Sequence, residues 1–260
     1  MTHDSHIPGR SGRFSGGKLG HGRELDVAPG SIGVSPEEYP PLPDAVMSDP
    51  LAGRLDPRAW FSDPARRFEI EIGCGKGTFM LNVAKENPST NFLGIEWEGA
   101  FFAYTADRVR RASLENVRML HADAVEFLKW RCPDAIVHTI HLYYSDPWPK
   151  AKHHKNRVVQ DKFLEQARRV LVPRGELRIV TDHDDYWQWM ETFFVRWTNP
   201  ATAPGGVPFT RVSFVPPEWV GEGQVVATNY EKKMCGTAKQ PHAVVLRTSA
   251  EQGSNLSGPV

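Results

Sequence analysis

The chain has 260 residues, 31 basic and 31 acidic side chains, and a formal net charge of zero. Its 40 % hydrophobic and 24 % charged content is that of a soluble globular protein with one sizeable core, and the absence of any run of about 18 apolar residues or of an apolar N-terminal stretch excludes a membrane span and a secretory signal. The three cysteines, Cys74, Cys132 and Cys235, are far apart, odd in number and without metal-ligand spacing, so a reducing, cytoplasmic location is expected, with no disulfide framework and no metal.

Residues 1 to about 55 carry little apolar periodicity. Gly-Ser-Arg-His stretches give way to prolines at 36, 40, 41 and 43, which predicts a disordered arm with a loosely docked Pro-rich end. From about 56 to 248 strand and helix patterns alternate. Phe68–Ile72 is a β-branched strand that breaks at Gly73. Residues 78–87 place Phe79, Met80, Val83 and Ala84 on one helical face, and Pro88 stops them. Strands are then expected at Asn91–Ile95, Val117–Leu120, Ile136–Tyr144 and Gly175–Val180. Helices are expected at 99–112, 123–131, 158–171 and 184–197. Phe209–Phe214 and His242–Leu246 read as two further strands at one edge, and residues 249–260 as a tail. This order implies an α/β fold: a doubly wound, mostly parallel seven-stranded sheet with helices on both faces.

Ligands of such a sheet bind beyond the carboxyl ends of its strands. Those ends carry an unusual series of acids: Glu71, Glu96, Asp123, Asp146 and Asp182. After Glu71 comes Gly73-Cys74-Gly75-Lys76-Gly77, a glycine turn that lets a ligand lie close to the backbone. An acid two residues before the first glycine repels a pyrophosphate and suits a cationic ligand, which disfavours a dinucleotide oxidoreductase. Glu96 follows Gly77 by 19 residues, close to the spacing at which a carboxylate takes ribose hydroxyls. A nucleoside with a positive charge and no phosphate is S-adenosylmethionine (SAM), and Asp123 is then placed for the adenine. The fourth strand leads into Asp146-Pro147-Trp148-Pro149-Lys150, followed by Lys152, His153, His154, Lys155 and Arg157. An acid in a stiff turn beside a basic, aromatic patch suits a site that grips a polyanion and acts on a flat ring.

These pieces carry a resemblance. With Phe92-Leu93-Gly94-Ile95-Glu96, His121-Ala122-Asp123-Ala124, Phe163-Leu164, Thr181-Asp182 and Thr228-Asn229-Tyr230-Glu231, the chain resembles the bacterial tRNA (guanine-N7)-methyltransferases within the class I SAM-dependent methyltransferases, over about residues 60–247. The run from Asp146 to Lys155 together with the late Thr-x-Tyr-Glu is the narrow signal; the glycine turn and Glu96 are general to SAM enzymes. The resemblance implies transfer of a methyl group from SAM to N7 of guanosine 46 in the tRNA variable loop. It implies a cofactor site of Glu71, Gly73, Gly75, Gly77, Glu96, Asp123 and Asp146, with Asp146 as the catalytic residue. Lys150, Asp182, Thr228, Asn229, Tyr230 and Glu231 would meet the guanosine.

Lys152, Lys155 and Arg157, with Lys150, are the expected phosphate contacts. The chain departs from the family pattern at Ser145, Asn156 and Asn229. His153 and His154 read equally as RNA contacts or as solvated loop residues. Trp148 reads as packing before stacking, Arg108, Arg110 and Arg111 as a solvated helix face before a basic patch, and Cys74 as a small filler before a reactive thiol. A SAM enzyme acting on another RNA, a small molecule or a protein leaves the Lys150–Arg157 cluster without a purpose. A non-catalytic RNA-binding module leaves the strand-end acids without one. Nothing in the sequence chooses between monomer and dimer.

Overall fold

The computed structural model describes residues 13–15, 17–228, 230–231 and 240–250. Its centre is a seven-stranded sheet built from β3 (Arg67–Ile72), β4 (Thr90–Glu96), β5 (Val117–His121), β6 (Val137–Tyr143), β7 (Leu171–Thr181), β8 (Thr210–Val212) and β9 (His242–Arg247). The strand order is β5-β4-β3-β6-β7-β9-β8. β3 to β7 run parallel, and β9 lies antiparallel to both β7 and β8. β1 (Arg13–Ser15) and β2 (Glu24–Asp26) form a separate antiparallel pair.

The parallel strands are buried on both faces, so they read as apolar runs. The helices α1 (Thr78–Glu86) and α2 (Gly99–Arg111) cover one face, where Phe79, Met80, Val83, Phe102, Ala106 and Val109 pack with Met119 and Tyr143. The helices α3 (Ala124–Trp130), α4 (Asp161–Val170) and α5 (Asp184–Thr198) cover the other, through Phe127, Leu128, Phe163, Leu164, Tyr186, Met190, Phe194 and Trp197. Each fully buried side chain of this size adds about 1.5–3 kcal/mol of transfer free energy. Local signals fix the helix ends. Asn87 ends α1 and its side chain donates back to the Val83 carbonyl at 2.9 Å. Asp123 caps α3 by accepting from the Val125 and Glu126 amides at 2.8 and 3.0 Å. α4 starts at Asp161 and not near 158, because Gln160 is extended (φ −148°, ψ 172°) while Val159 is buried beneath it.

Residues 24–55, within the segment expected as an arm with a loosely docked Pro-rich end, lie packed against the sheet. Leu25, Val27 and Ile32 are buried against α1 and α2, and Gly33 bridges to Met119 on the edge strand β5. Val34 donates to the Met119 carbonyl and Met119 to the Ile32 carbonyl, both at 2.8 Å. Further along, Arg131 donates to the Pro40 and Gly53 carbonyls. Residues 1–12 and 251–260, read as the outer parts of two tails, lie outside the described residues. Among the described residues, no helix is long and apolar enough to cross a membrane.

The chain crosses from β3 to β4 on one side and returns to β6 on the other. A crevice therefore opens at the carboxyl ends of β3 and β6, where the strand order reverses.

Candidate active site

A cleft of about 910 Å³ fills that crevice, within the usual range for small-ligand sites. Glu71, Gly73, Gly75, Glu96, Asp123 and Asp146 all line it. The sheet register puts Glu71 beside Gly94 and His141, at the floor. Its Oε2 is buried without a hydrogen-bond partner. Burial pushes the Glu71 carboxyl up to about 8, and the nearby Glu96 carboxylate adds to the rise. A buried carboxyl with one oxygen left unpartnered gains most from a ligand bearing positive charge. Glu96 accepts from the Gly75 amide at 2.8 Å and the Glu98 amide at 2.9 Å, and burial raises its carboxyl against those bonds.

The glycine turn requires its glycines for two reasons. Gly73, Gly75 and Gly77 have φ of 73°, 52° and 67°, in the left-handed region. A Cβ on Gly73 or Gly75 meets nothing within 4 Å, whereas one on Gly77 would stand 2.3 Å from Thr105 Cγ2. Gly77 itself does not line the cleft; it is the residue from which α1 starts. Thr105 Oγ1 donates to the Gly75 carbonyl at 2.8 Å and braces the turn. Cys74 is buried, its Sγ donates to the Glu71 carbonyl at 3.5 Å, and burial holds its thiol well above the ordinary value. It is a filler and not a nucleophile.

Opposite, β6 ends in Tyr144-Ser145-Asp146-Pro147-Trp148. Tyr144 (φ 52°) and Trp148 (φ 41°) are both left-handed, a strain of about 1–3 kcal/mol each for non-glycine residues that surrounding structure must hold. Asp146 lies between them, exposed at the cleft mouth. The Tyr144 ring lies 5.1 Å from that of Tyr230, tilted by 40°, and the Tyr230 hydroxyl donates to Asp182 Oδ2 at 3.2 Å. Thr228 and Tyr230, from the late segment, both line the cleft, and Tyr230 ties that segment to Asp182, which does not itself line the cleft.

A family model described as a putative methyltransferase matches residues 65–202. A tRNA (guanine-N(7)-)-methyltransferase of Alkalilimnicola ehrlichii is 33 % identical over 181 residues, 70 % of this chain and 70 % of that protein. Proteins of the same name from Corynebacterium diphtheriae and Nitrobacter hamburgensis are 34 % and 36 % identical, over 58 % and 60 % of this chain. The chain belongs to this methyltransferase family. It spans about three fifths of the length of the last two relatives, 58 % and 60 %. Family membership implies a methyl donor of the SAM type, and the residues present fit one: a buried acid with one oxygen unpartnered, a glycine turn open to the cleft, and Glu96 and Asp123 along its wall.

In this methyltransferase chain Lys150, Lys152 and Lys155 are exposed on the turn that follows Asp146. Arg157, expected beside them as a phosphate contact, is corrected by its burial: its side chain is 1 % exposed. Its Nε donates to the Pro147 carbonyl at 2.8 Å, it pairs with Asp185, and its guanidinium lies over the Tyr186 and Trp189 rings at 5.3 and 5.2 Å. Glu231, expected to meet guanosine, is turned inward instead. It is buried and accepts from the Val225 and Val226 amides, the latter at 3.0 Å, so it holds the loop that presents Tyr230. Asn229 lies outside the described residues. Trp148 is half-buried, edge-on to His153 at 5.8 Å, and lines the cleft. Sequence reasoning missed Trp97, Phe101 and Lys162, which also line it. Trp97 had a signal: it is a large aromatic directly after a strand-end acid, and it is 71 % exposed. Among the described residues, no group of three or more His, Cys, Asp or Glu side chains is placed to hold a metal.

Proposed function

We propose that the protein transfers a methyl group from SAM to N7 of guanosine in tRNA, at position 46 of the variable loop. The observation that carries this reading is one cleft holding both a buried acid with an unpartnered oxygen, Glu71, and an exposed acid, Asp146, in a strained turn at its mouth. The names of the relatives support tRNA as the substrate.

When bound, SAM supplies an electrophilic methyl group on a sulfonium. Glu71 faces that positive charge from the floor, Glu96 takes the ribose hydroxyls, Asp123 faces the adenine, and Gly73 and Gly75 leave room for close approach. Guanine N7 carries a lone pair and no proton, so no residue has to act as a general base. The work left for the chain is alignment and electrostatics. Asp146 and Asp182 accept from the N–H edge of guanine and face the positive charge that builds on the purine. Tyr230, tied to Asp182 at 3.2 Å, and Tyr144 offer ring faces beside them. Lys150, Lys152 and Lys155 reach the phosphates. Asp146 on this account is a positioning anion, and Asp146→Asn lowers kcat by about 100-fold or more.

Labelling of bulk tRNA with methyl-labelled SAM, followed by mapping of the modified base, tests the reading. Label in 7-methylguanosine of the variable loop is expected. Label only at another base, or none, overturns it.

A further inference from the structure

We infer that Arg157 is a positioning residue that sets the spacing between the Asp146 turn and the corner carrying Asp182; the inference rests on the function proposed above. A buried guanidinium is costly unless its donors are used, and the structure shows where they go. Nε donates at 2.8 Å to the carbonyl of Pro147, the residue next to Asp146. The Nη2 end pairs with Asp185, three residues beyond Asp182 in the first turn of α5. The planar group lies over the faces of Tyr186 and Trp189, 5.3 and 5.2 Å away, both on α5. A single rigid fork therefore joins the two segments that present the acids assigned to guanine.

A second contact runs the same way. The hydroxyl of the fully buried Tyr186 lies 3.4 Å from Ser145 Oγ and 3.4 Å from the Val159 amide. Asp146 is thus held through both of its sequence neighbours, from one turn of one helix. The turn needs such restraint, because Tyr144 and Trp148 both sit at positive φ. Asp146 itself accepts no hydrogen bond from the other described residues, so its position depends on these neighbours. Lysine keeps a charge but has no planar fork to reach Pro147, Asp185 and two rings together. The exposed Lys150, Lys152 and Lys155 differ in kind, as none is anchored in this way.

The test is Arg157→Lys beside Asp185→Ala, whose site is exposed and whose loss leaves the Pro147 and ring contacts in place. Hydrogen exchange of the full-length protein is read over residues 144–150 and 183–189, and steady-state methylation of tRNA in parallel. Faster exchange in both segments is expected for both variants. The kcat of Arg157→Lys should fall about 100-fold, as for a reacting pair displaced by an ångström or so. The tRNA KM should stay within about twofold and the salt dependence of tRNA binding should be unchanged. A salt slope shallower by about one unit with kcat intact would make Arg157 a phosphate contact and overturn the proposal. Unchanged exchange in residues 144–150 in both variants would also overturn it. Wild-type protein that fails to methylate guanosine would remove the proposed function, while the exchange result would still decide whether Arg157 joins the two segments.

Discussion

Glu71 shows how much one side chain decides. Its carboxyl has an ordinary value of 4.5 and is pushed up to about 8 in the fold. Between those values the native state binds more protons than the unfolded chain, so this residue's contribution to stability declines as pH rises through that window. The ligand-free protein is therefore expected to lose stability between pH 4.5 and 8 on account of Glu71. Glu71→Gln should flatten that decline and raise Tm at pH 8 by several degrees. A cationic donor reverses the preference, since it favours the ionised acid. Binding of SAM should release up to about one proton per site below pH 8 and tighten as pH rises. Calorimetry in buffers of different ionisation enthalpy measures this directly. Proton-independent binding by the wild type would exclude Glu71 as the charge partner. The glycines give a second contrast at this scale. Gly77→Ala drives a Cβ to 2.3 Å from Thr105 Cγ2 as well as straining φ, and should cost about 2–4 kcal/mol by chemical denaturation. Gly75→Ala has open space, so it should cost only about 1–2 kcal/mol of left-handed strain while placing a methyl in the cleft and weakening SAM binding.

At the scale of elements, the parts that were legible in the sequence are those whose signal is apolar spacing. All five parallel strands and the five helices fall within a few residues of their expected places, because burial on the sheet or on one helical stripe imposes a period of its own. The strand-end acids were legible for the same reason: once the strands are placed, topology gathers Glu71, Glu96, Asp123 and Asp146 at one crevice. What stayed hidden was held by side chains that bond to backbone carbonyls, which leaves no periodic mark. Residues 24–55 are the main case. Buried Arg118 on the edge strand donates to the carbonyls of Ile32, Gly33 and Trp60 and pairs with Glu38 at 2.6 Å. The segment so held covers an otherwise open sheet edge. Arg157 was misread likewise: a cation in a basic run carries no sign of burial, and its partners lie 10 and 28 residues away. Arg118→Leu should remove the pairing with Glu38 and the donor to the Trp60 carbonyl, while the Ile32 and Gly33 carbonyls keep the Met119 and Gly30 amides; it should cost about 1–3 kcal/mol in denaturant unfolding and open residues 24–39 to limited proteolysis while the sheet stays protected. Resistance equal to wild type would show that the apolar contacts and the backbone bonds to Met119 dock the segment without Arg118.

For the whole molecule, 31 positive and 31 negative side chains cancel, so long-range attraction cannot supply tRNA affinity. Many of the arginines are also committed internally: Arg23, Arg110 and Arg111 converge on the buried Asp107, and Arg157 is enclosed. Among the described residues, Lys150, Lys152 and Lys155 are exposed along one short turn beside Asp146, and Lys76 and Lys162 add charge along the cleft itself. Each contact to a phosphate releases condensed counterions and adds about 0.9 to the slope of log K against log salt. Replacing the three lysines by glutamine should therefore lower that slope by about two to three units. Non-cognate RNA should lose affinity to a similar degree, because phosphate contacts position the substrate without reading bases. At saturating tRNA and low salt the triple variant should recover most of its kcat, since Asp146 and its supports are untouched. Arg157→Lys should show the opposite pattern, with the slope kept and kcat lost. On the proposed function, the two variants together separate the grip on the polyanion from the placement of the base: the lysine variant is expected to change how tightly tRNA is held, and the arginine variant where its guanine lies.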